Sequence, residues 1–242
     1  LDLIEPWARR NPSDLEIAEL RADARRAVVY ATHDPTGNLI IYEALVTDRE
    51  RIADGRGQSP SSKIELASAL IDLSYHHRSH GDPHDAIPFI DRAWTIAVDA
   101  FRDEPEPDRH HEVLSWAALA RATGLEPGAS GRIGRLEEAR RLYAERMARA
   151  PGNNAPVIWH LALGLDLAEE AALLGDASEA RRLIAEQETI ASQLASRDPA
   201  DAVAHRQPML VMWYGYRVER ALAAHASGEE RVVILKRALD YV

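Results

Sequence analysis

Apolar residues along the chain fall in long blocks at helical spacing, cut by short polar breaks. Leu161, Leu163, Leu167, Ala168, Ala171 and Leu174 form one broad apolar face, and Leu183, Ile184, Ile190 and Leu194 form another after Gly175. Runs of β-branched residues are short and no Asn-Gly hairpin pair occurs, so strand signals are missing. The pattern predicts an α-helical chain throughout.

Proline sets the long period. Pro12, Pro60, Pro107, Pro151 and Pro199 are 48, 47, 44 and 48 residues apart, and each is followed within two residues by Ser, Asp or Asn. Proline biases its predecessor away from the helical region, and a short polar side chain caps the next helix by accepting from a free N–H. A second break recurs near each midpoint: Asp34-Pro35-Thr36-Gly37, Gly81-Asp82-Pro83, Gly131–Gly134, Gly175-Asp176 and Ser227-Gly228. Glycine just past a helix end takes the left-handed conformation cheaply. Each unit is therefore two helices joined by a short turn. Five units fit, roughly 12–59, 60–106, 107–150, 151–198 and 199–242. Leu3–Arg10 reads as the tail of an earlier helix. Pro88 and Pro208 fall inside expected helices and predict a kink or a late start.

These units resemble tetratricopeptide (TPR) repeats, which carry a Trp-x-x-Leu-Gly/Ala core in the first helix, a turn glycine and an alanine in the second. Trp116-Ala117-Ala118-Leu119-Ala120 fits the first-helix core. Leu167-Ala168, Gly175-Asp176, and Ala180 with Ile184 fit at the family spacing, as do Leu73-Ser74, Gly81-Asp82, and Ala86 with Ile90. Gly134, Ala139 and Tyr143 fit after an insert, Leu125–Arg132, expected to be a loop. Tyr42 and Val233 depart from the small second-helix residue, and every unit exceeds the usual 34 residues, so the helices run longer. The resemblance implies an all-α, right-handed αα-hairpin superhelix of about five helix pairs forming one domain over 1–242. It also implies a groove that holds another chain, as in the TPR-like regions of large bacterial signalling proteins.

Composition narrows the function. The 242 residues are 46% hydrophobic and 28% charged, with no cysteine, which excludes disulfides, thiolate metal sites and a cysteine nucleophile. A net charge of −10 argues against a nucleic-acid partner, and no apolar run is long enough for a membrane span. Only Lys63 and Lys236 of the 29 basic residues are lysine, a GC-rich, bacterial signature. The chain opens Leu-Asp-Leu-Ile-Glu and is expected to be part of a longer, cytoplasmic polypeptide.

Candidate chemistry is sparse. His76 and His80, four apart, could chelate a metal ion, but they also sit where histidine caps a helix end. His110-His111 is adjacent and points two ways. Gly128–Gly134 lacks the Lys-Ser/Thr ending of a phosphate loop and reads as a connection. Glu137-Glu138 and Glu169-Glu170 read as solvated faces, with Arg141 four residues from Glu137. Trp116 is read as core. Of Trp213, Tyr214 and Tyr216 at least one must be exposed, because consecutive aromatics cannot share one face.

The expectation is a non-enzymatic scaffold or regulatory region with no cofactor. Its partner is a peptide or protein segment, acidic and from the same parent polypeptide or another, and self-association is compatible with it. The alternative is a ligand- or metal-sensing domain controlling an attached effector. The residues expected to line the groove are Asn153, Asn154, His160, Arg206, Tyr214 and Arg217, or else to bridge neighbouring helices.

Overall fold

A computed structural model describes residues 1, 3–197 and 200–241. Among them are eleven α-helices and one 3₁₀ turn, and no strand. The chain divides into two compact units, Leu1–Gly124 and Leu125–Val242. The first holds α1 (Glu5–Arg10), α2 (Leu15–Ala31), α3 (Pro35–Gly55), α4 (Pro60–His80), the 3₁₀ turn Pro83–Ala86, α5 (Ile87–Asp103) and α6 (Asp108–Thr123). The second holds α7 (Arg132–Arg149), α8 (Asn154–Leu173), α9 (Ala177–Arg197), α10 (Ala202–His225) and α11 (Gly228–Leu239). Both are all-α arrays of packed helices.

Local chemistry places the helix ends. The carboxylate of Asp14 accepts from the amides of Glu16 and Ile17 at 2.9 and 3.1 Å, and Asp201 accepts from Val203 and Ala204 at 2.9 and 3.0 Å. Asp34, Asn153 and Asp176 act alike on Gly37, Ala155 and Glu179. Two junctions differ from the expected order. At Pro60 the cap is Ser59, before the proline, and Pro60 itself opens α4. Pro107 occupies the cap position of α6 with no side-chain cap bond. Proline's fixed φ suits the first helical turn, where its missing N–H would have no intrahelical partner, so here it starts helices as well as stopping them. The fifth junction runs through Asp198 and Pro199, which lie outside the described residues.

The mid-unit breaks also vary. Gly175 takes the left-handed conformation (φ +80°), whereas Gly81 is extended. The segment 124–131 is the expected loop, and Arg132 begins α7. Pro88 lies in the first turn of α5, delayed by the 3₁₀ turn, and Pro208 lies inside α10.

Packing follows the hairpin plan. Within the first unit α2 packs on α3 and α4 on α5, and within the second α8 packs on α9 and α10 on α11. Each second helix also packs on the next first helix, as α3 on α4 and α9 on α10, and first helices meet as α4 on α6 and α8 on α10. The third expected pair falls across the division, α6 ending one unit and α7 opening the other. Interior first helices are buried on several faces. Leu161, Leu163 and Leu165 of α8 are all fully buried, which one helical stripe could not produce.

Candidate functional site

Beside this core, the second unit holds an open cleft of about 550 Å³ between α7 and α9, floored by α8. Two second-type helices stand apart here, so the first-type helix beneath them is not fully covered. Leu167 and Ala171 of α8 form the floor, with Ile133 and Ala144 of α7 and Leu183 of α9 on the walls. Leu174, at the end of α8, is 70% exposed at its mouth.

Charged side chains ring this apolar floor and pair with each other. Arg140 of α7 reaches Glu186 of α9 at 2.5 Å, and Arg182 grips Glu179 through two bonds of 2.6 and 2.7 Å and touches Glu186 at 3.3 Å. The Arg182 guanidinium is held further above its ordinary value by Glu179. His160 closes one end, its Nδ1–H donating to the Arg140 carbonyl at 3.2 Å. Burial, and then the Arg140 charge, lower the His160 pKa, so the neutral ring is favoured. The equivalent position in the first unit, between α3 and α5 over α4, is a cleft of about 740 Å³. It is more polar, lined by Glu50, Asp54, Gln58, Asp91, Arg92 and Thr95 with Leu66 and Ile96.

The other expected groove residues lie elsewhere. Asn153 caps α8, and the Asn154 amide donates to Asp201 at 3.0 Å. Arg206 is exposed on α10. Tyr214 donates its hydroxyl to Asp166 of α8 at 2.9 Å, and Arg217 bonds Glu169 of α8 while lying 5.0 Å over the Tyr214 ring. These two residues therefore bridge α10 to α8. Burial and then Asp166 push the Tyr214 hydroxyl well above its ordinary pKa. Burial also raises Asp166, although Tyr214 and two arginines pull it down. Of the six, only His160 lines the α7–α9 cleft.

Three expectations are corrected. Glu169 and Glu170 are not a solvated face: Glu170 is 2% exposed, accepts from the Gly128 amide at 3.0 and 3.1 Å, and pairs with the buried Arg132. Glycine-containing segment 124–131 is thus tied to α8 by a buried carboxylate. Arg141 pairs with Glu145, one turn toward the helix C-terminus. Trp116 is half-buried with Arg109 5.3 Å over its ring, whereas Trp213 is 56% exposed.

His76 and His80 lie at the end of α4, ring centroids 5.1 Å apart, with Tyr42 against His76 at 5.3 Å. No cluster of three or more metal-ligating residues occurs among the described residues. His110 and His111 are both buried: His110 bonds the Glu104 carbonyl at 2.7 Å, and His111 packs edge-on against Phe101. No helix of the described residues is long and apolar enough to cross a membrane.

The cleft residues Arg140, Arg182 and Glu186 escaped the sequence reading, which placed Leu174 only on an apolar face. The signals were an apolar Leu173-Leu174 pair just before the turn glycine and the four-residue spacing of Arg182 and Glu186.

No family model matches the chain, and no curated protein matches it in sequence. Among solved structures it is similar to a thermophilic TPR protein of Thermus thermophilus, at 17% identity and a TM-score of 0.47 over 92% of this chain and 98% of that one.

Proposed function

We propose that the chain is a protein-interaction module that receives a peptide or protein segment, and that the α7–α9 cleft is its receiving surface. One observation carries the reading: between two helices whose facing charges pair with one another lies an open cleft, floored by Leu167 and Ala171 and bordered by Leu174, which is 70% exposed. Removing apolar surface from water drives such docking, at roughly 25 cal/mol per Å² before the costs of association. The pre-paired rim lets a guest arrive without stranding a charge. A helix or extended segment with an apolar stripe and charges of both signs beside it matches these walls. Binding, not bond-making, is the role that this arrangement supports, and a regulatory region of a larger protein is the natural setting.

A displayed peptide library, selected on the purified chain, tests the proposal. Enriched peptides should share an apolar stripe and lose binding to a Leu174→Asp variant of unchanged helicity. Failure to enrich any sequence, or equal binding to the variant, would overturn it.

A further inference from the structure

The charges around the α7–α9 cleft do not balance, and the imbalance sits at one end. Its lining carries the carboxylates of Glu137, Asp176, Glu179 and Glu186 and the guanidiniums of Arg140, Arg141 and Arg182. Arg140 is taken up by Glu186 and Arg182 by Glu179. Arg141 turns away to Glu145. Asp176 and Glu137 therefore have no cation among the described residues. Asp176 is engaged as a cap, accepting from the Glu179 amide at 3.0 Å. Glu137 has neither an ion-pair nor a hydrogen-bond partner among the described residues. It is exposed and stands in the second turn of α7, beyond the first-turn reach of the positive helix end, so its charge is left for a guest.

Apolar surface lies beside that carboxylate. Arg132, at the start of α7, bonds Glu170, near the end of α8. Ile133 and Glu137 therefore stand at the Leu174 end of the cleft, where Leu174 is exposed over the floor of Leu167 and Ala171. The cleft of the first unit lacks this combination. There Glu50 and Asp91 each have an arginine, Arg92 and Arg121, Asp54 accepts from Gln58, and Leu66 is buried.

The wall sets the form of the guest. Ile133, Glu137, Arg140 with Arg141, and Ala144 step along α7 one turn at a time. A helix lying against them presents side chains at the same interval of about 5.4 Å, whereas one face of an extended strand repeats at about 7 Å. From Ile133 to Ala144 the wall spans about 16 Å, three turns of such a helix.

We infer that the guest of the α7–α9 cleft is a basic amphipathic helix of a partner protein, with a lysine or arginine one turn from its apolar anchor and set against Glu137, an inference that rests on the cleft being the receiving surface. An acidic helix would set like charge against Glu137. Two fluorescent, stapled helical peptides of about 14 residues test it. Both carry a stripe of Leu and Ala. One has a lysine a turn to either side of the central leucine, and its twin has glutamates there. The lysine peptide should bind at least about fivefold more tightly at low salt, and the difference should shrink as salt rises. Glu137→Lys should reverse the ranking, and Glu137→Gln should bring the two peptides within about twofold. Glu137 is exposed, so helicity and melting temperature should stay as they are. Leu174→Asn, which removes apolar surface without adding charge, should weaken both peptides. Equal binding of the two, or a ranking that Glu137→Lys does not reverse, overturns the inference, and the cleft stays the receiving surface if Leu174→Asn still weakens them. Binding that Leu174→Asn leaves untouched places the peptides elsewhere and removes both. If neither peptide binds, the inference falls and the displayed library decides the cleft by itself. A dimer in sedimentation that Leu174→Asn dissolves would put a second copy in the cleft and overturn the inference as well.

Discussion

The hydroxyl of Tyr214 on α10 donates to a carboxylate oxygen of Asp166 on α8 at 2.9 Å, across 48 residues of chain. Asp166 is raised by burial above its ordinary pKa, and the Tyr214 hydrogen bond is the largest support of its charged form, ahead of Arg132 and Arg217. Tyr214→Phe should therefore cost about 1–3 kcal/mol at neutral pH, the cost of a lost bond to a charged group. Removing the donor raises the folded-state pKa of Asp166 further. A raised carboxylate pKa is a penalty present above it and relieved as pH falls through it, so the cost should shrink toward acid. Urea melts at neutral pH and near pH 4 check both the size and the trend.

Glu170 holds the segment before α7 through the Gly128 amide and Arg132. Breaking a buried ion pair by removing one partner strands the other, and typically costs about 3–5 kcal/mol. Glu170→Ala should destabilise the chain by that order and speed hydrogen exchange at Gly128. Replacement without loss in either measurement would show that Arg132 finds another partner.

Gly164 of α8 lies against Gln187 of α9 so closely that an added β-carbon would fall 2.5 Å from the buried amide carbon. The Gln187 amide donates to the Leu183 carbonyl at 3.2 Å and has no room to swing into water. Gly164→Val should destabilise by about 1–3 kcal/mol, since overpacking outweighs the gain in helix propensity. Thermal melts of the variant and of a Gly164→Val/Gln187→Ala double variant check it. The double variant should recover part of the loss.

His160 supplies a pH-dependent term. Its folded-state pKa is lowered by burial and by Arg140, so on acidification the unfolded chain takes up the proton first. Stability present above the ordinary histidine value of about 6.5 is then lost as pH falls toward the folded value. His76, lowered by burial and by His80, acts in the same direction. His160→Gln should flatten, without abolishing, the fall in melting temperature between about pH 7 and pH 5. An unchanged slope would assign that fall to other groups.

The sequence by itself determined the helical class, the paired-helix rhythm and most helix starts. Those depend on local interactions: Asp14, Asp34, Asn153, Asp176 and Asp201 cap amides two or three residues away. Proline junctions and turn glycines likewise act on their own neighbours. Tertiary structure decided which charged residues are buried. Glu169 and Glu170 look like any helix-surface pair until α10 and the segment before α7 pack over them, bringing Arg217 from 48 residues away and Arg132 from 38. The same holds for Tyr214 and Arg217, whose partners lie on the preceding first helix. The cleft was invisible for the opposite reason. It arises where α7 and α9 stand apart over α8, and the residues that border it, Leu174 and the Arg182–Glu186 pair among them, carry the same pattern as any solvated amphipathic helix.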